Sequence, residues 1–245
     1  MAKAKRKTSI GYKLVMLILI CIMAFSLYKI VTIVYEYYKG ARAYDSVAEL
    51  AGIDDLMPTS VDFDALAKIN PDIRGWIYSK DTPINYPVVQ GENNDKYLYQ
   101  MFNEEWNGKG SIFVDYRCEE PFEQFNTVVY GHRMKDGSMF HSLTKYRDRE
   151  YYEKHKKMQL FTPEGDYDIE IFGVVTLEAD SQMYRMDFSD EEDEQQYIDW
   201  ILENTETQMD VRPTAEDRLV MLSTCTYEFD DARLVVYGRL VEREE

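Results

Sequence analysis

Cysteine is scarce in this chain, with three residues in 245. Cys21, Cys118 and Cys225 lie far apart, so no pair has the close spacing of a metal site. Three cysteines also cannot form the disulfide framework of a small secreted protein. A single disulfide between Cys118 and Cys225 remains open, and it would abolish any thiol chemistry at Cys225.

Basic residues are few relative to acidic ones beyond the N-terminus. Six of the 28 Lys and Arg residues fall in positions 1–35, which contain no Asp or Glu; the rest of the chain therefore carries 22 basic and 45 acidic residues, a net charge of −23. This balance argues against binding nucleic acid or anionic lipid through a broad basic face. It suits cationic or amine-bearing partners, or it serves only solubility.

Long hydrophobic runs are also rare, and the longest lies near the N-terminus. Residues 1–13 form a basic head, and Leu14–Tyr35 follows with few polar interruptions. About 20 apolar residues suffice to span a bilayer as a helix. We therefore predict a single transmembrane anchor over 14–35, with the basic head in the cytoplasm and the rest of the chain outside. A cleaved signal peptide is the alternative, although its apolar region is usually shorter.

The remaining chain divides into a helical segment, 36–70, and a domain rich in short strands, 71–245. Ser60 is the expected N-cap of a helix over Asp62–Lys68, and Ser189 that of an acidic amphipathic helix reaching Asn204. Short apolar runs bounded by turn residues predict strands. These runs are Gly75–Tyr78, Ile84–Val89, Gly110–Tyr116, Asn126–Tyr130, Met158–Thr162 and Tyr167–Leu177. The fold class is thus mainly β with peripheral helices, and many short strands favour a closed barrel.

A predicted antiparallel hairpin over Arg218–Val241 carries the first candidate site. Cys225 falls where its first strand ends and Arg233 where its second begins. A guanidinium near a sulfur favours the thiolate, the nucleophilic form of cysteine. The alternative is a structural cysteine, with Arg233 pairing to acidic residues of the connecting loop, which are Glu228, Asp230 and Asp231.

Three histidines are candidates for acid–base chemistry. His132 directly follows a predicted strand and Gly131, and it opens a loop, which is a common place for functional residues. His141 falls in a predicted helical turn, where it could simply pack. His155 lies in a solvated run of charged residues and is discounted.

Several motifs, in the order found in the family, resemble those of sortases. Leu222–Cys225 is similar to the TLxTC signature, with Met221 where the family usually has threonine, and Arg233 and Tyr130–His132 match the arginine and histidine segments. The resemblance is closest to class B sortases and runs from about residue 45 onward. It includes the segments Asn70–Ile77, Ile84–Gln90 and Gly110–Arg117, and a helix-bearing insertion over Ala179–Val211.

The resemblance implies an eight-stranded β-barrel and a membrane-bound cysteine transpeptidase of Gram-positive bacteria. Such enzymes cleave a C-terminal sorting signal on a secreted protein and join the new carboxyl end to a peptidoglycan amine. Class B members typically take NPxTG-like signals. No cofactor or metal is implied, and the predicted partners are signal-bearing secreted proteins, the cell-wall amine and the membrane.

The same resemblance assigns residues. It implies Cys225 as nucleophile, His132 as general acid and base, and Arg233 as the group that binds the oxyanion or the substrate backbone. Five further positions match or adjoin the substrate groove of the class, and they are Asn94, Leu98, Tyr184, Ser223 and Thr224.

Two departures and three alternatives accompany this prediction. The loop between Cys225 and Arg233 is short, so Tyr227 and Glu228 could lie differently over the site, and Cys118 stands where an asparagine is common; we expect a free thiol there. A pilin-polymerising sortase, a purely hydrolytic thiol protease and a catalytically silent, membrane-tethered binding module remain open.

Overall fold

Eight strands close into one barrel in the computed structural model, which describes residues 10–53, 58–226, 228 and 230–243. The strand order around the barrel is β1-β2-β3-β4-β7-β8-β6-β5. The predicted closed eight-stranded barrel is therefore confirmed. The strands are β1 Ile73–Tyr78, β2 Asn85–Val89, β3 Ile112–Val114, β4 Asn126–Tyr130, β5 Lys157–Phe161, β6 Asp166–Glu178, β7 Arg218–Cys225 and β8 Ala232–Glu242. The α-helices are α1 Ile10–Leu50, α2 Phe63–Ile69, α3 Arg149–Lys154 and α4 Glu191–Asn204, and two 3₁₀ helices span Lys96–Leu98 and Phe140–Arg147.

Two of the strand pairings are parallel, namely β2 with β3 and β4 with β7. The other six are antiparallel, and the longest joins β6 to β8. Parallel neighbours need a crossover connection, because a tight turn can join only antiparallel strands. The chain between β4 and β7 contains α3, β5, β6 and α4, so β4 and β7 meet only after a long excursion.

Helix α1 is continuous from the predicted span into the segment that follows it. Its apolar N-terminal side chains are exposed, and it is the one described helix long and apolar enough to cross a bilayer. Its C-terminal part packs on the barrel: Tyr44 and Val47 are buried, and the Tyr44 ring meets Tyr86 of β2 edge-on at 5.2 Å. The basic head up to residue 9 lies outside the described residues.

The predicted helix caps were each wrong by one or two positions. Asp62, not Ser60, caps α2, because its carboxylate accepts the Ala65 N–H at 2.9 Å. Asp190, not Ser189, caps α4 by accepting the Asp193 N–H at 3.0 Å. Aspartate and serine are equally good caps, so sequence alone cannot choose between neighbours.

Helix α4 covers one side of the barrel, as expected for the insertion before the strand that carries Cys225. Its buried residues Tyr197, Ile198 and Ile201 join a second apolar cluster with residues of β4, β6, β7 and β8. The larger cluster fills the barrel interior and extends beneath α1. Both clusters hold the ends of β4, β7 and β8 in place, and the candidate site lies there.

Candidate active site

Strand register brings His132, Cys225 and Arg233 side by side. In the parallel β4–β7 pair Tyr130 lies opposite Ser223, and the Gly131 N–H continues the ladder by donating to the Ser223 carbonyl at 3.1 Å. His132 and Cys225 each lie two residues further on, so they share one face. In the antiparallel β7–β8 pair Cys225 lies directly opposite Arg233. The thiol is therefore placed between the imidazole and the guanidinium.

The orientation of His132 is fixed by a main-chain carbonyl. Its Nε2 lies 2.7 Å from the carbonyl oxygen of Leu98. A carbonyl oxygen only accepts hydrogen bonds, so Nε2 carries a hydrogen, and Nδ1 is the ring atom left for proton exchange. There is no room for a side chain at Gly131, because a Cβ there would lie 2.5 Å from Ile112 and 2.6 Å from Phe140.

The acidic loop after Cys225 was considered as a partner for Arg233, but the contacts of Glu228 in this loop are with other groups. Glu228 accepts hydrogen bonds from Thr226 and from the Arg147 guanidinium, and these interactions lower its pKa to about 2. Arg147 also donates to Glu206 at 2.7 Å, tying this loop to the chain beyond α4. The Arg233 guanidinium donates to the carbonyl of Ala232 at 3.1 Å and lines the same cavity as Cys225. Tyr227 lies outside the described residues.

All eight predicted site residues line one cavity of about 240 Å³. His132, Cys225 and Arg233 share it with the predicted substrate-groove residues, which are Asn94, Leu98, Tyr184, Ser223 and Thr224. Tyr184 covers one wall, where its hydroxyl lies 2.8 Å from Ser223 Oγ and its ring stacks on Tyr130 at 6.0 Å. The cavity is thus a cleft with a thiol, an imidazole and a guanidinium at one end.

Several predicted groove residues also hold the cavity walls together. Asn94 donates to the carboxylate of Asp115 at 3.0 Å and accepts the Tyr116 N–H at 3.1 Å. The Thr224 hydroxyl donates to the Gly131 carbonyl at 2.7 Å. These side chains are therefore held in place before any ligand binds, as a precise site requires.

Sequence reasoning missed the buried network behind the cavity. Asp115 is fully buried and accepts hydrogen bonds from the Tyr130 hydroxyl at 2.9 Å and from Arg117 at 2.8 and 2.9 Å. Burial alone would raise the pKa of Asp115, but the hydrogen bonds from Arg117, Tyr130 and Asn94 outweigh it and keep that pKa below its ordinary value. The sequence offered one indication of this network: Tyr130 lies two residues before His132 and therefore on the same face.

The other histidines and cysteines lie away from this chemistry. His141 Nδ1 bonds the Met134 carbonyl at 2.7 Å, and His155 stacks on Tyr151 with ring centroids 4.0 Å apart. All three cysteines are free, so Cys118 and Cys225 are not joined. Within the described part of the chain, no group of three His, Cys, Asp or Glu residues could hold a metal ion.

Comparison with known proteins decides the family. A model of the sortase domain matches residues 77–241, which include all the strands that form the cavity. The chain belongs to the sortase family. Sortase B of Staphylococcus aureus is 37% identical over 182 residues, covering 74% of this chain and 75% of that protein. Sortase B of Listeria monocytogenes is 32% identical over 247 residues, covering 98% of this chain and all of that protein. The predicted class B resemblance is confirmed.

Solved structures agree with this assignment. A sortase B–substrate complex from S. aureus superposes with a TM-score of 0.71 at 37% identity, covering 74% of this chain and 85% of that one. A sortase B-like structure from Bacillus anthracis gives 0.76 at 38% identity, covering 85% and 98%. This sortase is therefore a transpeptidase of the class B type.

Proposed function

We propose that this sortase cleaves an NPxTG-like sorting signal between Thr and Gly and transfers the protein to a peptidoglycan amine. The observation that carries the proposal is the meeting of a thiol, an imidazole and a guanidinium at adjacent strand ends in one cavity. Sortase membership makes the chain a cell-wall sorting transpeptidase, and the S. aureus relative has been solved with a substrate. The signal, the acceptor and the residue roles are our proposal.

The first half-reaction breaks the scissile amide. The Cys225 sulfur attacks the threonine carbonyl carbon, while Arg233 stabilises the developing oxyanion or holds the adjacent backbone. As the C–N bond breaks, His132 gives a proton to the leaving amine. The products are a thioester on Cys225, a neutral His132 and the released glycine-ended fragment.

The second half-reaction consumes the thioester. An incoming amine attacks the thioester carbonyl, His132 accepts its proton, and the sulfur leaves as thiolate. A new amide replaces the old one, and the enzyme returns to its initial protonation state. The hydrogen bond from Nε2 to Leu98 supports Nδ1 as the atom that carries this proton in both steps.

The groove residues fit a peptide bound along the cavity floor. Tyr184, Ser223 and Leu98 line its length, and Asn94 and Thr224 brace the walls. We assign these five residues to signal recognition. The apolar part of α1 supports a membrane anchor. The basic residues before it support a cytoplasmic N-terminus with the barrel outside.

Peptide cleavage with and without an acceptor tests this function. The full chain in detergent is mixed with quenched NPxTG, SPxTG and LPxTG peptides, with or without a glycine-type or diaminopimelate-type amine. We expect cleavage of NPxTG at Thr–Gly and, with amine present, a product carrying that amine. Cys225→Ala, His132→Ala and Arg233→Ala should each lose most turnover, whereas Cys118→Ser, the matched cysteine control, should retain it.

Other outcomes would separate the alternatives. Cleavage whose product never contains the amine would indicate a thiol protease, and a preference for a lysine side chain on a protein acceptor would indicate a pilin polymerase. Absence of cleavage in a folded chain with a titratable Cys225 would indicate an unusual sorting signal or a silent binding module. Normal turnover in Cys225→Ala would contradict the thioacyl mechanism.

A further inference from the structure

Two large aromatic side chains are exposed beside the active site. Trp106 is 68% exposed and Tyr99 is 53% exposed, and their rings stack with centroids 6.4 Å apart. We call these two residues the aromatic rim. The other two tryptophans of the chain differ, since Trp76 is fully buried in β1 and Trp200 lies in α4.

The loop that carries the aromatic rim is fastened to α1. Asn107 donates to the main-chain carbonyl of Glu36 at 3.1 Å, and Glu105 pairs with Lys39 at 3.0 Å. These contacts fall on the first turn and a half of α1 beyond its apolar run. They hold the loop at a defined height along the helix.

That height corresponds to the end of the predicted span. An apolar cleft of about 250 Å³ separates α1 from the loop, and Thr32, Ile33 and Tyr37 line it together with Trp106. Thr32 and Ile33 belong to the apolar run, whereas Glu36 begins the charged part of the helix. Trp106 therefore lies at the level where a membrane-spanning α1 leaves the hydrocarbon.

We propose that the aromatic rim docks the barrel onto the bilayer, with Trp106 and Tyr99 in the headgroup layer around α1. Tryptophan and tyrosine concentrate at this depth because their rings are apolar and each keeps one polar group for water. A bilayer is favoured over a protein partner because the cleft is continuous with the apolar run of α1, which the proposed anchor places in lipid. The inference rests on the proposed membrane anchor.

Docking would orient the active site. The Tyr99 ring centroid is 6.1 Å from that of His132, and the neighbouring Leu98 carbonyl holds His132 Nε2. The aromatic rim thus lies next to the cavity on its His132 side. A docked rim places that side of the cavity against the membrane surface, so substrates held in the bilayer reach it directly.

Fluorescence quenching by brominated lipid tests the docking. The full chain is reconstituted in phosphatidylcholine vesicles with or without bromine at carbons 6 and 7 of the acyl chain, which quenches tryptophans close to the headgroups. With only three tryptophans, the signal can be assigned using Trp106→Phe and the matched control Trp200→Phe. We expect quenching in the wild type and in Trp200→Phe, and its loss in Trp106→Phe.

Flotation of the same vesicles separates this proposal from the anchor. If the chain floats with the vesicles but wild-type emission is unchanged by bromine, or if Trp106→Phe is quenched as strongly as the wild type, docking is wrong and the anchor stands. If the chain does not float, both the anchor and the docking are wrong. Because Trp106 is exposed, Trp106→Phe should unfold at the wild-type temperature, and this check excludes a misfolded variant.

Discussion

At the scale of single residues, a buried carboxylate supports the cavity wall. Asp115 receives hydrogen bonds from Arg117, Tyr130 and Asn94, which belong to three different segments around the site. Charge-assisted hydrogen bonds of this kind are stronger than neutral ones. Tyr130 in turn stacks on Tyr184, so Asp115 supports the proposed substrate groove through its neighbours.

Asp115→Asn should lower the free energy of unfolding at pH 7 by about 1.5–3 kcal/mol, the usual range for hydrogen bonds to a charged group. The folded-state pKa of Asp115 is below its ordinary value, so its charge adds stability above about pH 4, and this contribution is lost as pH falls through the folded-state value. The gap between variant and wild type should therefore shrink on acidification.

Denaturant unfolding at pH 7 and pH 3 measures this gap. The exposed Asp180→Asn serves as control and should match the wild type at both values. If Asp115→Asn and the wild type differed in unfolding free energy by the same amount at both pH values, Asp115 would contribute through its shape rather than its charge.

Cys118 and Cys225 should differ in reactivity. Burial raises the pKa of the Cys118 thiol to about 11 and leaves its side chain 2% exposed, whereas Cys225 is half-buried at the cavity. The thiolate is the reactive form. Iodoacetamide at pH 8 should modify Cys225 and spare Cys118 until denaturant is added, as peptide mass mapping would show. Equal labelling of both in the folded chain would contradict the burial of Cys118.

At the scale of elements, the loop before β3 sets the position of His132 through one glycine. Gly110 has φ of +56°, and a Cβ there would lie 2.5 Å from the carbonyl oxygens of Tyr97 and Leu98. The Leu98 carbonyl is the acceptor for His132 Nε2. A side chain at Gly110 would thus displace the group that orients the imidazole.

Gly110→Ala should therefore reduce both stability and turnover. Left-handed backbone costs a non-glycine residue about 1–2 kcal/mol, and the two carbonyl contacts add to it. Gly108→Ala is the matched control two residues away, because a Cβ there meets nothing within 4 Å. Thermal unfolding and peptide cleavage of the two variants would be compared. Wild-type turnover in Gly110→Ala would show that Leu98 does not position His132.

Elements also show what sequence could and could not predict. Short apolar runs bounded by turn residues predicted the β7–β8 hairpin, so Cys225 was expected beside Arg233, as observed. The family motifs implied the distant pairing with His132. Predicted strand 110–116 was too long: β3 is only Ile112–Val114, because Gly110 turns the chain before it and a turn closed by the Cys118 N–H on the Asp115 carbonyl follows it. The bond from His132 to a main-chain carbonyl has no sequence signal.

At the scale of the whole molecule, α1 and the barrel form a continuous unit. The Tyr44 hydroxyl donates to the Gly110 carbonyl, and Lys109, which is almost fully buried, bonds Asp136 and Ser138 at 2.6 Å in the loop that follows His132. The helix that we propose as the anchor therefore contacts the same loops that carry the site.

Topology can be measured on vesicles in which the chain is inserted in one orientation. We expect added protease to digest the barrel on the side opposite an N-terminal tag and to leave the tag protected, because the proposed orientation keeps the basic head in the cytoplasm. Protection of both tag and barrel, or loss of the tag with the barrel intact, would contradict the type II orientation.

The parallel β4–β7 pair determines when during folding the site is assembled. Strands β7 and β8 follow all the other strands in the chain, yet β7 alone brings Cys225 to His132, and β8 seals the barrel against β6. Contacts between such distant segments form late in folding, because a long loop must close first. If α1 is the anchor that we propose and is inserted first, Cys225 is among the last parts of the site to reach its place. The proposed catalysis therefore cannot begin until the barrel is complete, because only then do Cys225 and His132 meet.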